Sequence, residues 1–208
     1  TAKNNVEIFD LNKELSIKTE LVYLNKKENF LESPTDSIVK DKIDNVLKTS
    51  NFNYNLDNQI LKLQNTELKD FNNNQFNIEM AFLDTNTNEL IGKDIVINLS
   101  NKSFNKDNEP RIKGRSIDYN KDRTIVTKGV FTTCKRRDGC PPWQMSAEKI
   151  QHDKAKQTIY YKDALLKVYD LPVMYFPKFF HPDPTVKRRS GFLIPTIKNS
   201  NSENFLNT

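Results

Sequence analysis

Phe76-Asn-Ile-Glu-Met-Ala-Phe82 alternates large apolar residues with small or polar ones, the period of a half-buried β-strand. Working outward, Glu14 to Leu24, Ile95 to Leu99, Arg111 to Tyr119, Thr124 to Phe131, Trp143 to Ile150 and Gln157 to Tyr169 are also rich in β-branched and aromatic residues and read as strands. Asp, Asn and Lys turns separate them. Only Ser37 to Leu47 leaves a short helix or an irregular insertion in competition with strand.

The strands repeat. Phe76–Leu99, Arg111–Phe131 and Trp143–Tyr169 each read as strand, aspartate-led turn and second strand, with Asp84, Asp118 and Asp153 spaced 34 and 35 residues apart. Weaker copies surround Asp10 and Asp57. Such a period signals stacked hairpins, each unable to bury its apolar face alone. An ordinary β-sandwich built of similar hairpins is the competing architecture.

Only 36% of the 208 residues are hydrophobic and the mean hydropathy is −0.72, so the core must be thin. The 26 asparagines and abundant lysines belong to turns and solvated faces. The net charge of +5 comes from basic residues interspersed with acids, and no nucleic-acid-binding signature accompanies it. No apolar run reaches the length of a membrane helix. Five glycines cannot build a phosphate-cradling loop, and there is no G-x-S-x-G setting, so catalysis is not expected. His152, in a turn, and His181, between prolines, are expected as surface histidines without metal partners.

The segment Leu171 to Pro195, LPVMYFPKFFHPDPTVKRRSGFLIP, combines five prolines with five aromatics and ends in a basic run before an apolar stretch. Prolines fix φ and remove backbone donors, which excludes a helix or a central strand. A stiff, extended, aromatic connector is expected. Cys134 and Cys140 have too few histidines around them for nucleophilic or zinc chemistry, and in an exported β-rich protein a disulfide is expected. Five residues including Gly139 separate them, which permits a local bridge; pairing with cysteines elsewhere stays open.

From Gly129 to Pro195 the T-T-C and W-Q-M-S-A-E blocks, L-P-V-M-Y-F-P and R-R-S-G-F-L-I-P resemble, in type and in order, the lipopolysaccharide-assembly outer-membrane protein family (LptD/OstA). Residues 1 to 128 match only in their hairpin repeat, which the soluble bridge proteins of the same transport system share. The resemblance implies an all-β fold: an open β-jellyroll, a folded two-sheet stack of antiparallel hairpins with an apolar groove, leading into a transmembrane β-barrel. It implies residues 1–184 as a periplasmic jellyroll domain and 185–208 as the hinge exit and first barrel strand.

The function implied is lipopolysaccharide transport and assembly at the outer membrane; a soluble periplasmic bridge is the alternative. Implied partners are lipopolysaccharide, a periplasmic bridge protein joined by edge-strand pairing, an outer-membrane lipoprotein plug inside the barrel, and the outer membrane itself. No cofactor, metal or nucleic acid is expected. Alternation nominates Ile78, Met80, Phe82, Ile112, Ile125, Phe131, Met145, Tyr160, Leu166 and Val168 as lipid-facing. Lys187, Arg188 and Arg189 would meet phosphorylated headgroups at the rim, and Pro172, Pro177, Pro182 and Pro184 would form the hinge. In the family the cysteine at the position of Cys134 usually pairs with one in the barrel; Cys140 departs from that pattern, which keeps a Cys134–Cys140 bridge open.

Overall fold

The computed structural model describes residues 1–42, 45–70, 73–100, 109–135, 141–183 and 186. They form fourteen strands: β1 (Ala2–Asp10), β2 (Leu15–Asn25), β3 (Phe30–Ser33), β4 (Ser37–Lys40), β5 (Val46–Thr49), β6 (Asn51–Asn55), β7 (Ile60–Lys69), β8 (Gln75–Asp84), β9 (Glu89–Asn98), β10 (Arg111–Tyr119), β11 (Arg123–Thr132), β12 (Trp143–Asp153), β13 (Thr158–Val168) and β14 (Leu171–Pro182). All pairings are antiparallel and all strands join one sheet. Strand β2 pairs with both β3 and β4, and β7 with both β5 and β6, so β3/β4 and β5/β6 act as two interrupted strands of a continuous meander. Ser37 to Leu47, where a helix competed in the sequence, supplies β4 and the start of β5.

Turn chemistry sets this order. Four-residue turns led by Asp10, Asn25, Asn55, Asp84 and Asp153 join successive strands, each leading side chain accepting bonds from backbone N–H groups two or three residues on. Each ends on a residue with positive φ: Glu14, Asn29, Gln59, Asn88 and Gln157. Between β10 and β11 the turn is led by Asn120 rather than Asp118, which lies within β10. Likewise Asn55, not Asp57, leads the turn at β6–β7.

One sheet has buried its own face. Ile17, Val39, Leu47, Leu61, Leu63, Ile97, Ile117 and Ile150 are buried although no second layer covers them among the described residues. The explanation lies in a crease that crosses every long strand. Neighbouring ladders skip their pairs at Asn65/Glu79, Glu79/Asp94, Asp94/Arg115, Arg115/Lys128, Lys128/Glu148, Glu148/Asp163 and Asp163/Pro177. Asn65, Asp94, Lys128 and Asp163 have positive φ there, so the crease is turned by one left-handed residue in every second strand.

At the crease the buried parity slips by one. Strand β8 buries Phe76 and Ile78, then Ala81 and Leu83; β9 buries Leu90 and Gly92, then Ile95 and Ile97; β11 buries Thr124 and Val126, then Gly129 and Phe131. The two halves of the sheet therefore turn the same face inward and close on each other. Aromatic contacts bridge them: Phe76 meets Tyr119 edge-on at 5.2 Å, and Phe131 packs 5.7 Å from His181 and 6.4 Å from Tyr161. Small residues line the inside of the bend. A Cβ on Gly92 would lie 2.6 Å from Ile78 Cγ2, and one on Gly129 would lie 2.6 Å from Ile150 Cδ1, too close for any side chain.

Candidate functional site: an apolar row across the folded sheet

Register aligns the inward residues into rows. One row runs through successive cross-strand partners Ile8, Ile17, Val39, Leu47, Leu68, Phe76, Ile97, Ile112, Phe131, Met145, Leu166 and Met174. It crosses twelve strands without a polar residue, a path of about 50 Å at the usual strand spacing. Its middle is buried and its ends are not. From β12 to β14 the inner face uncovers: Trp143 and Met145 are buried, Leu166, Val168 and Phe176 are half-buried, and Met174 is 54% exposed. Among the described residues the apolar inner face is thus uncovered at its C-terminal edge, the mouth of the folded sheet.

Beside this row, toward the crease, the inside changes character along the sheet. Thr19, Ser37, Thr49 and Thr66 are buried in the N-terminal part, with Thr19 and Ser37 hydroxyls 2.9 Å apart and Thr19 also 2.8 Å from Ser33. These hydroxyls satisfy one another, as buried polar groups must. Further along, Gly129, Ala147 and Ala164 take the corresponding places. Along this row the C-terminal part is therefore the more apolar one.

The nominated lipid-facing residues divide across the two faces. Ile78, Ile112, Phe131, Met145, Leu166 and Val168 face inward. Met80, Phe82, Ile125 and Tyr160 face outward, because strict alternation was carried through the crease: Met80 pairs with Gln64 and Lys93, and Phe82, 40% exposed, with Lys62 and Ile91. Sequence reasoning missed Trp143, Met174 and Phe176 at the mouth. Their signal is present in the spacing h-x-h-x-x-h-x-h, carried by Phe76, Ile78, Ala81 and Leu83 and again by Met174, Phe176, Phe179 and His181.

The proline-rich segment is a twelve-residue strand at the edge of the sheet, and Pro172, Pro177 and Pro182 lie within it. Pro177 falls on the crease opposite Asp163. An edge is where a strand tolerates missing donors, which reconciles these three prolines with strand pairing. Pro184, Cys140, Lys187, Arg188 and Arg189, and the expected first barrel strand, lie outside the described residues. Cys134 is half-buried and forms no disulfide among the described residues, its Sγ lying 3.7 Å from the Trp143 carbonyl oxygen.

The two histidines are brought together, and His181 is buried rather than at the surface as expected. His152 and His181 are both register partners of Ile159, and His181 is 3% exposed. Its Nδ1 lies 2.7 Å from the Pro182 carbonyl oxygen, which can only accept, so the neutral ring donates there and its Nε2 accepts from the Tyr161 hydroxyl at 2.8 Å. Burial holds the His181 pKa below the usual histidine value, opposed by the Pro182 bond and Asp183 and reinforced by His152. His152 Nε2 stands 2.5 Å from Asp183 Oδ2, at ion-pair distance without hydrogen-bond geometry. No group of three or more metal-ligating side chains forms a site among the described residues.

A folded antiparallel meander that turns its apolar residues inward defines an all-β, jellyroll-like class of fold. Known proteins resemble part of the chain. Over 82 residues, 39% of this chain, it is 35% identical to the LPS-assembly protein LptD of Yersinia pestis and of Yersinia pseudotuberculosis, and 37% identical to that of Escherichia coli K12. These matches support the LptD family for the chain across the part they cover. The chain spans about a tenth of the length of these curated relatives. No family model matches it.

Proposed function

We propose that the chain is the periplasmic jellyroll part, residues 1–184, of a lipopolysaccharide-assembly protein of the outer membrane, with residues 185–208 leading into a barrel. The supporting observation is the apolar row from Ile8 to Met174. Acyl chains lying along it would be shielded from water at about 0.8 kcal/mol per CH₂, while the polar headgroup stays outside. Entry and exit use the ends of the row, where the inner face is already uncovered. The N-terminal edge, β1, is free to pair with a periplasmic bridge protein. At the other edge the prolines of β14 discourage further pairing, and the Pro172–Pro184 segment holds the mouth in line with the barrel. Rim contacts from Lys187, Arg188 and Arg189 to phosphorylated headgroups, and a lipoprotein plug in the barrel, complete the reading.

The test is site-specific photocrosslinking in cells making the full-length protein. Probes at Phe131, Met145, Leu166 and Met174 should capture lipopolysaccharide, and probes at Phe82, Ile125 and Tyr160 should not. Adducts at the outward positions alone would overturn the assignment of the row. A soluble bridge protein with the same repeat is the other reading; fractionation of the full-length protein into the periplasm rather than the outer membrane would favour it.

A further inference from the structure

The outside of the C-terminal edge carries a feature that a transport path through the interior does not use. Lys149, Lys162 and Lys178 are direct cross-strand partners on β12, β13 and β14 and all point outward. Directly opposed like charges on a sheet repel and destabilise it. None of the three makes an ion pair among the described residues. The nearest acids, Glu148 and Asp163, sit on the crease one row away, and Asp163 accepts a hydrogen bond from the Tyr175 hydroxyl at 2.8 Å.

On the other side of the lysines the next outward row holds Tyr160 and Phe180, register partners with ring centroids 6.0 Å apart, Phe180 being 59% exposed. Of the exposed large apolar side chains on β14, Phe180 lies on the same side of the crease as the lysines. Three unneutralised ammonium groups beside the half-buried Tyr160 ring and the exposed Phe180 ring are the chemistry of a surface that meets an anionic lipid–water interface.

We propose that the outer face of β12–β14 docks on an anionic phospholipid bilayer surface, with Lys149, Lys162 and Lys178 against the headgroup phosphates and Tyr160 and Phe180 at the interface. It goes beyond the carrier reading, and the two fail separately, because vesicle binding needs no lipopolysaccharide and crosslinking inside the row needs no vesicle.

The experiment is co-sedimentation of the whole 208-residue chain with phosphatidylcholine vesicles, with and without phosphatidylglycerol, at low and high salt. Binding should require phosphatidylglycerol and weaken with salt. A lysine near an anionic surface contributes about fivefold, so K149Q/K162Q/K178Q should lose between roughly tenfold and a hundredfold in partitioning. K149R/K162R/K178R should retain it, and K26Q/K27Q/K121Q, which removes the same charge from turns, should bind like the parent. Far-ultraviolet circular dichroism checks folding of every variant. Equal binding by both glutamine triples, binding to pure phosphatidylcholine, or no binding by the folded parent would each overturn the proposal.

Discussion

Gly114 offers a stringent test of how tightly the sheet closes at its crease. A Cβ there would lie 2.2 Å from Val126 Cγ1, 3.3 Å from the Thr127 carbonyl oxygen and 3.5 Å from Ile95 Cγ1. The first distance is far inside van der Waals contact, and Val126 is buried and cannot swing away. Gly114→Ala should therefore cost about 1–3 kcal/mol as overpacking. Val126→Ala removes two buried methyl groups at about 0.8 kcal/mol each plus a cavity term, roughly 2 kcal/mol in all. In the double variant the new methyl group occupies the space that the valine vacates. Its cost should fall short of the sum by about 1 kcal/mol or more, a coupling expected only of residues in contact. Urea unfolding followed by the fluorescence of Trp143, the single tryptophan, buried two strands away, reads this directly. A Gly114→Ala variant as stable as the parent, or a strictly additive double variant, would refute the close approach at the crease.

Phe131→Ala should cost about 3–5 kcal/mol, since its ring bridges the two halves, whereas Phe82→Ala on the outer face should cost far less; the same urea titrations compare them. Asp94 sits at φ 51° on the crease, so Asp94→Val should lose about 1–2 kcal/mol while Asp94→Gly stays near the parent, and equal losses would deny a left-handed crease residue. Stability should decline as pH falls below about 6.5, where an unfolded histidine takes a proton. Folded His181 resists protonation because it is buried, so the unfolded state binds more protons in that window and the contribution is lost toward lower pH. His181→Gln should flatten that part of the profile; an unchanged profile would remove His181 from the account. Pro177→Ala with Pro182→Ala in the full-length protein should make cells leaky to large antibiotics, and unchanged permeability at normal protein levels would argue against the alignment role.

The meander was legible because turn and strand signals agree along the chain: Asp84 and Asp153 lead their turns, and the strands between them carry β-branched and aromatic residues on one side. What alternation alone could not show was the crease. A period of two, started at Ile78, assigns Met80 and Phe82 to the same face, yet one left-handed residue per strand pair shifts the register and puts Ala81 and Leu83 inside instead. Backbone conformation at one residue, not hydrophobicity, decides the face, and Asn, Asp and Lys at those positions look like ordinary polar strand residues. The meeting of His152 and His181 was hidden for a related reason. They are 29 residues apart, and only the registers of β12, β13 and β14 bring them to either side of Ile159. The prolines of β14 suggested a connector because their tolerance depends on the strand having only one neighbour among the described residues, which composition does not reveal.

Because every long strand bonds only to its neighbours in the meander and the crease repeats in each, the path length is a countable property. Adding or removing one hairpin would change the apolar row by two places, about 10 Å, while leaving the mouth and every remaining contact of the same kind. A protein built this way can be fitted to compartments of different width by gene duplication of a unit some thirty-five residues long, with no redesign of the surfaces at its ends.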